Sequence, residues 1–301
     1  MSLYQKVTDL VLAQLSNGTV PWIRPWSASA GRNVPANAIT GRPYSGINTL
    51  LLWSGVNHGF TIPRYLTFKQ CKQLGARIIK GQNGFKIYFV KPIDVKTEDN
   101  DPKRITMLRE YTVFNVAQCE GLPEAIANPQ PAKVYNKGQR LELADEFVRS
   151  LETDIRYGGG TAYYAPGEDV VHLPRWESFR SPDAFYNTTF HELTHWTGHK
   201  SRLARDLNNR FGQQTYATEE LIAELKTAFL TTEFGIDTST QSTNYIESWI
   251  KLLHHDNRTI FTTASKTSKA ADFLRSAALR SNKPCQSDTS FVPATSGEHP
   301  S

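Results

Sequence analysis

The spacing of apolar positions changes twice along the chain. Leu3, Val7, Leu10, Val11 and Gln14 fall on one face of a 3.6-residue period, which predicts an amphipathic first helix. The pattern then turns irregular. "GTVPWIRPW" places two prolines and two tryptophans close together, and "NAITGRPYSGINTLLLW" has turn signals at Thr40-Gly41 and Ser45-Gly46 ahead of an apolar run. "YLTFKQCKQLG" predicts a short helix ended by Gly75. "ARIIKGQNGFKIYFVKPIDV" reads as two strand-like runs about a Gly-Gln-Asn-Gly turn, and "REYTVFNVAQCEGL" as another strand. Residues 122–139 hold three prolines and no periodicity, as a joint does. Beyond them the helical period dominates, over 138–153, 182–197, 217–234, 242–255 and 263–281. "DIRYGGGTAYYAPGEDVVHLP" interrupts that run as a hairpin or small sheet, and the Ser/Thr/Pro-rich end is predicted to be disordered.

These elements predict an α+β chain of two domains without internal repeats. A small mixed α/β domain spans 1–125, a linker 126–137, a mainly helical domain 138–285 and a disordered tail 286–301. No apolar run approaches the roughly 20 residues that cross a bilayer, so no membrane partner is expected. The first residues lack the basic leader and apolar block of a signal peptide. Cys71, Cys119 and Cys285 are odd in number and far apart in sequence. They point to a reducing, cytoplasmic setting, with neither a disulfide framework nor a thiolate metal site.

The net charge of +5 conceals an asymmetry. Residues 1–93 contain eleven Lys/Arg and one acid, Asp9, for +10, whereas the remainder carries −5. A basic domain almost free of acids suggests a polyanion partner, nucleic acid first. Single strands are held by cations that track the backbone and aromatic faces on which bases stack. Trp22, Trp26, Tyr44, Tyr65, Phe85 and Tyr88 alternate here with such cations. The candidate single-stranded DNA residues are Trp22, Arg24, Trp26, Arg32, Arg42, Tyr44, Lys69, Lys72, Lys80 and Lys86. The tryptophans of the Pro-rich loop are favoured because loops lie at the surface.

The sharpest chemical signal is "FHELTHWTGHKSR". His191 and His195 stand four apart on a predicted helix, capped by Ser181, opened by Pro182 and Asp183 and ended near Gly198. Two imidazoles one turn apart share a face and reach one divalent ion, and Glu192 beside them is placed to take a proton from an activated water. A third histidine three residues past Gly198 is absent, since that position holds Ser201. His199 is one candidate for the third ligand. The other comes from "YATEELIAELKTAFL", where Thr218 is predicted to cap a helix with a packing stripe of Leu221, Leu225, Ala228 and Phe229. Glu220 and Glu224 share a face of that helix. Glu220 is assigned as ligand and Glu224 as the group that orients an imidazole, although the two roles are interchangeable on spacing alone. Two histidines and a carboxylate suit zinc, and also manganese or another first-row ion.

Several blocks in one order carry a resemblance: "PWIRPW", "PANAITGRPYSGINTLLLW", "YLTFKQ", "GARIIKGQNGFKIYF", "TTFHELTHWTGHKSRL", "YATEELIAELKTAFL" and "ESWIKLL". The chain resembles the ArdC-like antirestriction proteins of conjugative plasmids, and is similar to the N-terminal region of TraC-type plasmid primases. The resemblance implies an N-terminal single-stranded DNA-binding domain and a C-terminal zincin-like domain. It implies protection of incoming plasmid DNA from host restriction during conjugation. The implied enzyme class is a zinc-dependent, gluzincin-like metallopeptidase with a host protein as candidate substrate. The family's Glu-x-x-x-Asp pattern falls on Glu220 and Glu224, with glutamate in place of the aspartate. The alternative is a DNA-binding protective protein whose metal site is structural or vestigial.

Overall fold

The computed structural model describes residues 2–22, 34–57, 59–96, 102–129, 136–207, 213–237 and 245–281. The chain opens with α1 (Leu3–Ser16), then β1 (Ala36–Asn37), α2 (Ile47–Asn57), β2 (Arg64–Thr67), α3 (Phe68–Gln73) and β3 (Arg77–Ile78). Two long strands follow, β4 (Phe85–Lys96) and β5 (Pro102–Asn115), then β6 (Cys119–Glu120) and one helical turn, α4 (Glu124–Ala127). The second part runs α5 (Lys137–Arg149), β7 (Ile155–Tyr157), β8 (Tyr163–Ala165), β9 (Val170–Leu173), α6 (Pro182–Thr197), α7 (Gln213–Phe234), α8 (Ile246–His255) and α9 (Thr259–Ser281). This is the α+β class expected. Of the predicted linker, residues 130–135 lie outside the described residues, as does the tail 286–301.

The first sheet has the order β1-β2-β5-β4, with β1 parallel to β2 and the other pairs antiparallel. The two runs about the Gly-Gln-Asn-Gly turn do not pair with each other. β4 pairs with β5, while β3 pairs with β6. β2 reaches β5 only at Val113, Phe114 and Asn115, so beyond that point β4 and β5 continue as a two-stranded ribbon. Asn48 of α2 fastens the ribbon's root through its side chain. Its amide donates to the Tyr88 carbonyl at 2.8 Å and its oxygen accepts the Tyr88 N–H at 2.7 Å.

The first helix buries a face rotated from the predicted one. Val7, Thr8, Val11, Leu12 and Leu15 are inside, whereas Leu10 is exposed. They join a core that both halves of the chain build. Trp53 of α2 meets Phe229 of α7 edge-on, with ring centroids 5.2 Å apart. Trp22 meets Trp249 of α8 in the same way at 5.3 Å. A second core, around Phe185, Phe190, Leu193 and Leu173, holds α6 against the three-stranded sheet β7-β9-β8. Cys71 and Cys119, distant in sequence, share a third apolar cluster, and burial together with Cys71 pushes the Cys119 thiol up to about 12. Both are free thiols.

Candidate metal centre

α6 forms where the sequence signals placed it. The Ser181 hydroxyl accepts the Ala184 N–H at 3.1 Å, and Pro182 occupies the first turn, where its missing N–H costs nothing. Gly198 is not there for a left-handed turn. A Cβ on it would lie 2.9 Å from Leu207 Cδ2 and 3.0 Å from both Arg205 Nη2 and the His195 carbonyl oxygen. A side chain there would push the Leu207 and Arg205 side chains of the returning 205–207 segment away from the helix end.

That segment brings α7 across α6. His191, His195 and Glu220 each offer a ligand atom, and these atoms lie within 4.8 Å of one another. His191 Nε2 is 3.2 Å from His195 Nε2 and 3.4 Å from Glu220 Oε2, and His195 Nε2 is 3.6 Å from Glu220 Oε1. Each imidazole meets a carboxylate on its other nitrogen: His195 Nδ1 lies 3.2 Å from Glu219 Oε1, and His191 Nδ1 lies 3.7 Å from Glu224 Oε1. With a proton on each Nδ1 facing its carboxylate, both Nε2 lone pairs point into one space at 3.2 Å. Two lone pairs so close repel unless a cation lies among them. The donor set therefore fits a divalent ion held by His191, His195 and Glu220.

The carboxylates around the pair favour a positive charge there, whether a proton or a metal ion. Burial works to lower the His191 pKa, but Glu220, Glu192 and Glu224 outweigh it and push it up to about 9. Glu220 and Glu219 stay below their ordinary value despite burial, the first through both histidines and Tyr216, the second through His195 and Arg205. Burial raises Glu224 to about 7, and its Oε2 has no hydrogen-bond partner among the described residues. Glu192 is buried on α6 and lines a pocket of about 290 Å³ together with His191, His195, Glu220, Tyr163 and Tyr216. Tyr216 and Tyr245 oppose their hydroxyls at 3.2 Å on the pocket wall. Edge strand β8 supplies Tyr163 and Tyr164 to the same wall.

Two parts of the chain match known families. Residues 1–114 match the N-terminal domain of the anti-restriction factor ArdC, and residues 142–266 match the zincin-like metallopeptidase family MPTase-PolyVal. The crystal structure of antirestriction protein ArdC from plasmid R388, in its metal-free form, superposes with a TM-score of 0.79 at 35% identity, covering 93% of this chain and 99% of that one. The chain belongs to the ArdC family. The Mn(II)-bound structure of the same R388 protein gives a TM-score of 0.76, covering 92% of this chain and 98% of that one. The protein y4eC of Sinorhizobium fredii is 34% identical over 90% of this chain and 91% of its own length. A DNA primase TraC of Escherichia coli is 35% identical over 90% of this chain, but the chain spans only 27% of that primase.

Within this ArdC-family chain, His199 faces away from the ion site. Its Nδ1 lies 2.7 Å from Ser201 Oγ and 3.8 Å from Asp169 Oδ2. It is not among the clustered donors, so the helix end redirects it out of reach as a third ligand. Thr218 is not a cap. α7 starts at Gln213, and the Thr218 hydroxyl donates to the Gln214 carbonyl inside the helix at 2.8 Å. Residues that spacing did not single out are Glu219, Arg205 and Tyr216. Arg205 grips Glu219 at 2.9 Å and also donates to the Thr194 carbonyl and the Thr197 hydroxyl, tying the returning loop to both helices. Three glutamates within six positions of an apolar helix were the available signal for Glu219.

The structure divides the nucleic-acid candidates. Trp22 is 0% exposed and packs on Trp249, so it is a core residue and offers no face to a base. Tyr65 and Tyr88 are core residues too. Arg24, Trp26 and Arg32 lie outside the described residues. Arg42, Lys69, Lys72, Lys80 and Lys86 are exposed and Tyr44 is half-buried. Lys69 and Lys72 stand one turn apart on α3, whereas Lys86 is paired with Glu110 at 2.9 Å.

Proposed function

We propose that this ArdC-family protein binds single-stranded DNA through its basic N-terminal part and hydrolyses a peptide bond at the α6–α7 centre. By these activities it protects incoming plasmid DNA from restriction during conjugation. The observation that carries the catalytic half is the position of Glu192, a buried carboxylate beside the two imidazoles and on the wall of the same pocket. A divalent ion in such a site supplies Lewis acidity, polarising a carbonyl and making water acidic enough to attack at neutral pH. His191, His195 and Glu220 would hold it, zinc or manganese being suited to that donor set. Glu192 takes the proton of the attacking water and passes it to the leaving amine. Tyr216, on the same wall, is in place to donate a hydrogen bond to charge developing on the carbonyl oxygen. Glu219 and Glu224 hold the imidazoles in their tautomers. For the DNA-binding half, the support is the charge of +10 over residues 1–93 and the exposed lysines of α3.

Glu192→Gln separates this reading from a centre that only stabilises the fold. The variant is expected to keep divalent-ion content, single-strand affinity and thermal stability. It should lose at least roughly 100-fold in cleavage of a peptide library, the usual contribution of a general base. Unchanged cleavage would overturn the assignment. Restriction survival of a transferred plasmid, measured in parallel, tells whether protection needs the cleavage.

A further inference from the structure

The two-stranded ribbon carries a surface that its packing does not explain. Beyond Val113 no third strand joins it among the described residues, and the ten pairs from Ile87↔Tyr111 to Lys96↔Pro102 extend it by about 34 Å. Its two faces differ in kind. One turns Tyr88 and Leu108 into the shared core, and with them Glu110, which accepts from the Tyr88 hydroxyl at 3.0 Å and from Lys86 at 2.9 Å. The other face presents Phe89, Arg109 and Tyr111, with Met107 further out. Phe89, Met107 and Tyr111 are 47%, 42% and 43% exposed. The rings of Phe89 and Tyr111 meet at 5.6 Å. Arg109 is directly across from Phe89 and exposed, and makes no ion pair among the described residues.

A free ribbon gains nothing by holding two aromatic rings in water, and clustered exposed apolar side chains mark contact surfaces. What covers this face must accept both flat rings and a cation. Glu110, next to Arg109 in sequence, is turned to the opposite side and paired with Lys86 and Lys6. That selects against an acidic-patch mimic of its own making and for a polyanion with open π-faces. A duplex hides its base faces, whereas a single strand exposes them.

We propose that the Phe89–Arg109–Tyr111 face of the ribbon is the base-stacking surface for single-stranded DNA. This rests on the single-strand reading above and replaces Trp22 and Tyr88 as the stacking rings. Phosphates then run beside Arg109 while bases lie on the rings.

The test uses the full chain and fluorescein-labelled oligo-dT in anisotropy titrations over a salt series. Phe89→Ala and Tyr111→Ala are each expected to weaken binding by roughly 5- to 150-fold, the usual worth of one base–aromatic contact. They should leave the salt slope unchanged. Arg109→Ala is expected to lower the slope by about 0.7, one phosphate's share. Phe68→Ala, a more exposed ring on α3, should change little. Photo-crosslinking of wild type to iodouracil-substituted dT, mapped by mass spectrometry, should land on Phe89 or Tyr111. This readout needs no variant to fold. Wild type that fails to bind the oligonucleotide at low salt removes the underlying reading. Wild type that binds while the alanine variants bind equally well, or crosslinks only elsewhere, overturns the ribbon site alone. Preference for duplex, or a sedimentation change in the alanine variants without loss of DNA affinity, likewise overturns it, the latter in favour of a contact between copies.

Discussion

Each imidazole of the pair is steadied from behind by its own carboxylate, and the two carboxylates are not alike. Glu219 is shared between His195 and Arg205, whose guanidinium also reaches back to α6. Glu224 serves His191 alone, and burial holds it up to about 7. Glu219 should therefore matter more. Glu219→Gln keeps the shape and removes the charge, and is expected to weaken divalent-ion affinity by roughly 10- to 100-fold. Glu224→Gln should have a smaller effect. Competition against a chromophoric chelator measures both. An unchanged affinity in Glu219→Gln would mean that an oxygen acceptor for the His195 Nδ1–H suffices and the charge of Glu219 does not matter. The histidine pair and Glu192 were legible because i,i+4 spacing on one capped helix is local information. The choice among Glu219, Glu220 and Glu224 was not. It depends on how α7 is rotated against α6, which Arg205 fixes from a loop with no motif of its own. Trp22 misled for a related reason, since a Pro-rich loop reads as surface until Trp249 closes over it.

At the level of elements, α6 spans the residues its cap, proline and period predicted, because each signal is internal to it. α7 was less readable. It begins four residues before the predicted start, with Thr218 bonded to its own helix rather than capping it. It is also buried well beyond one stripe, since Ile222 and Ala223 are as enclosed as Leu221 and Leu225. One consequence is Lys226, which is 0% exposed with no hydrogen-bond partner for Nζ among the described residues. Burial and the nearby Arg275 charge hold its pKa well below the ordinary lysine value. The sign follows from that depression. The unfolded chain binds the proton more readily, so stability is lost as pH falls from the ordinary lysine range toward the folded pKa, and recovered as pH rises. Lys226→Met should stabilise the protein by roughly 1–3 kcal/mol at neutral pH, the usual cost of burying an unpartnered polar group. The gain should shrink towards alkaline pH. Chemical denaturation at two pH values checks both the sign and the trend.

At the scale of the whole molecule, the hydrophobic pattern revealed an irregular basic part followed by a helical part, and the two family matches divide along the same order. It did not reveal that the parts share a core, because contacts such as Trp22 with Trp249 and Trp53 with Phe229 join residues far apart in sequence. α7 is the element they share. Its Glu219, Glu220 and Glu224 face the histidines, while Leu221, Leu225 and Phe229 enter the core that α1 and α2 of the basic part also build, Phe229 meeting Trp53 edge-on. Loosening that contact should therefore be felt at the ion site. Trp22→Ala removes a fully buried indole and is expected to cost about 3–5 kcal/mol. If the halves unfold as one unit, helix content by circular dichroism and release of a bound divalent ion to an indicator dye share one midpoint in wild type. Both should then fall together in the variant. Independent halves would instead give two transitions, with ion release unmoved by a substitution in the N-terminal part. The shared midpoint is the expected result, since the core that Trp22 and Trp249 build is the one α7 packs into, and α7 holds its ligand face in register only while that core is intact.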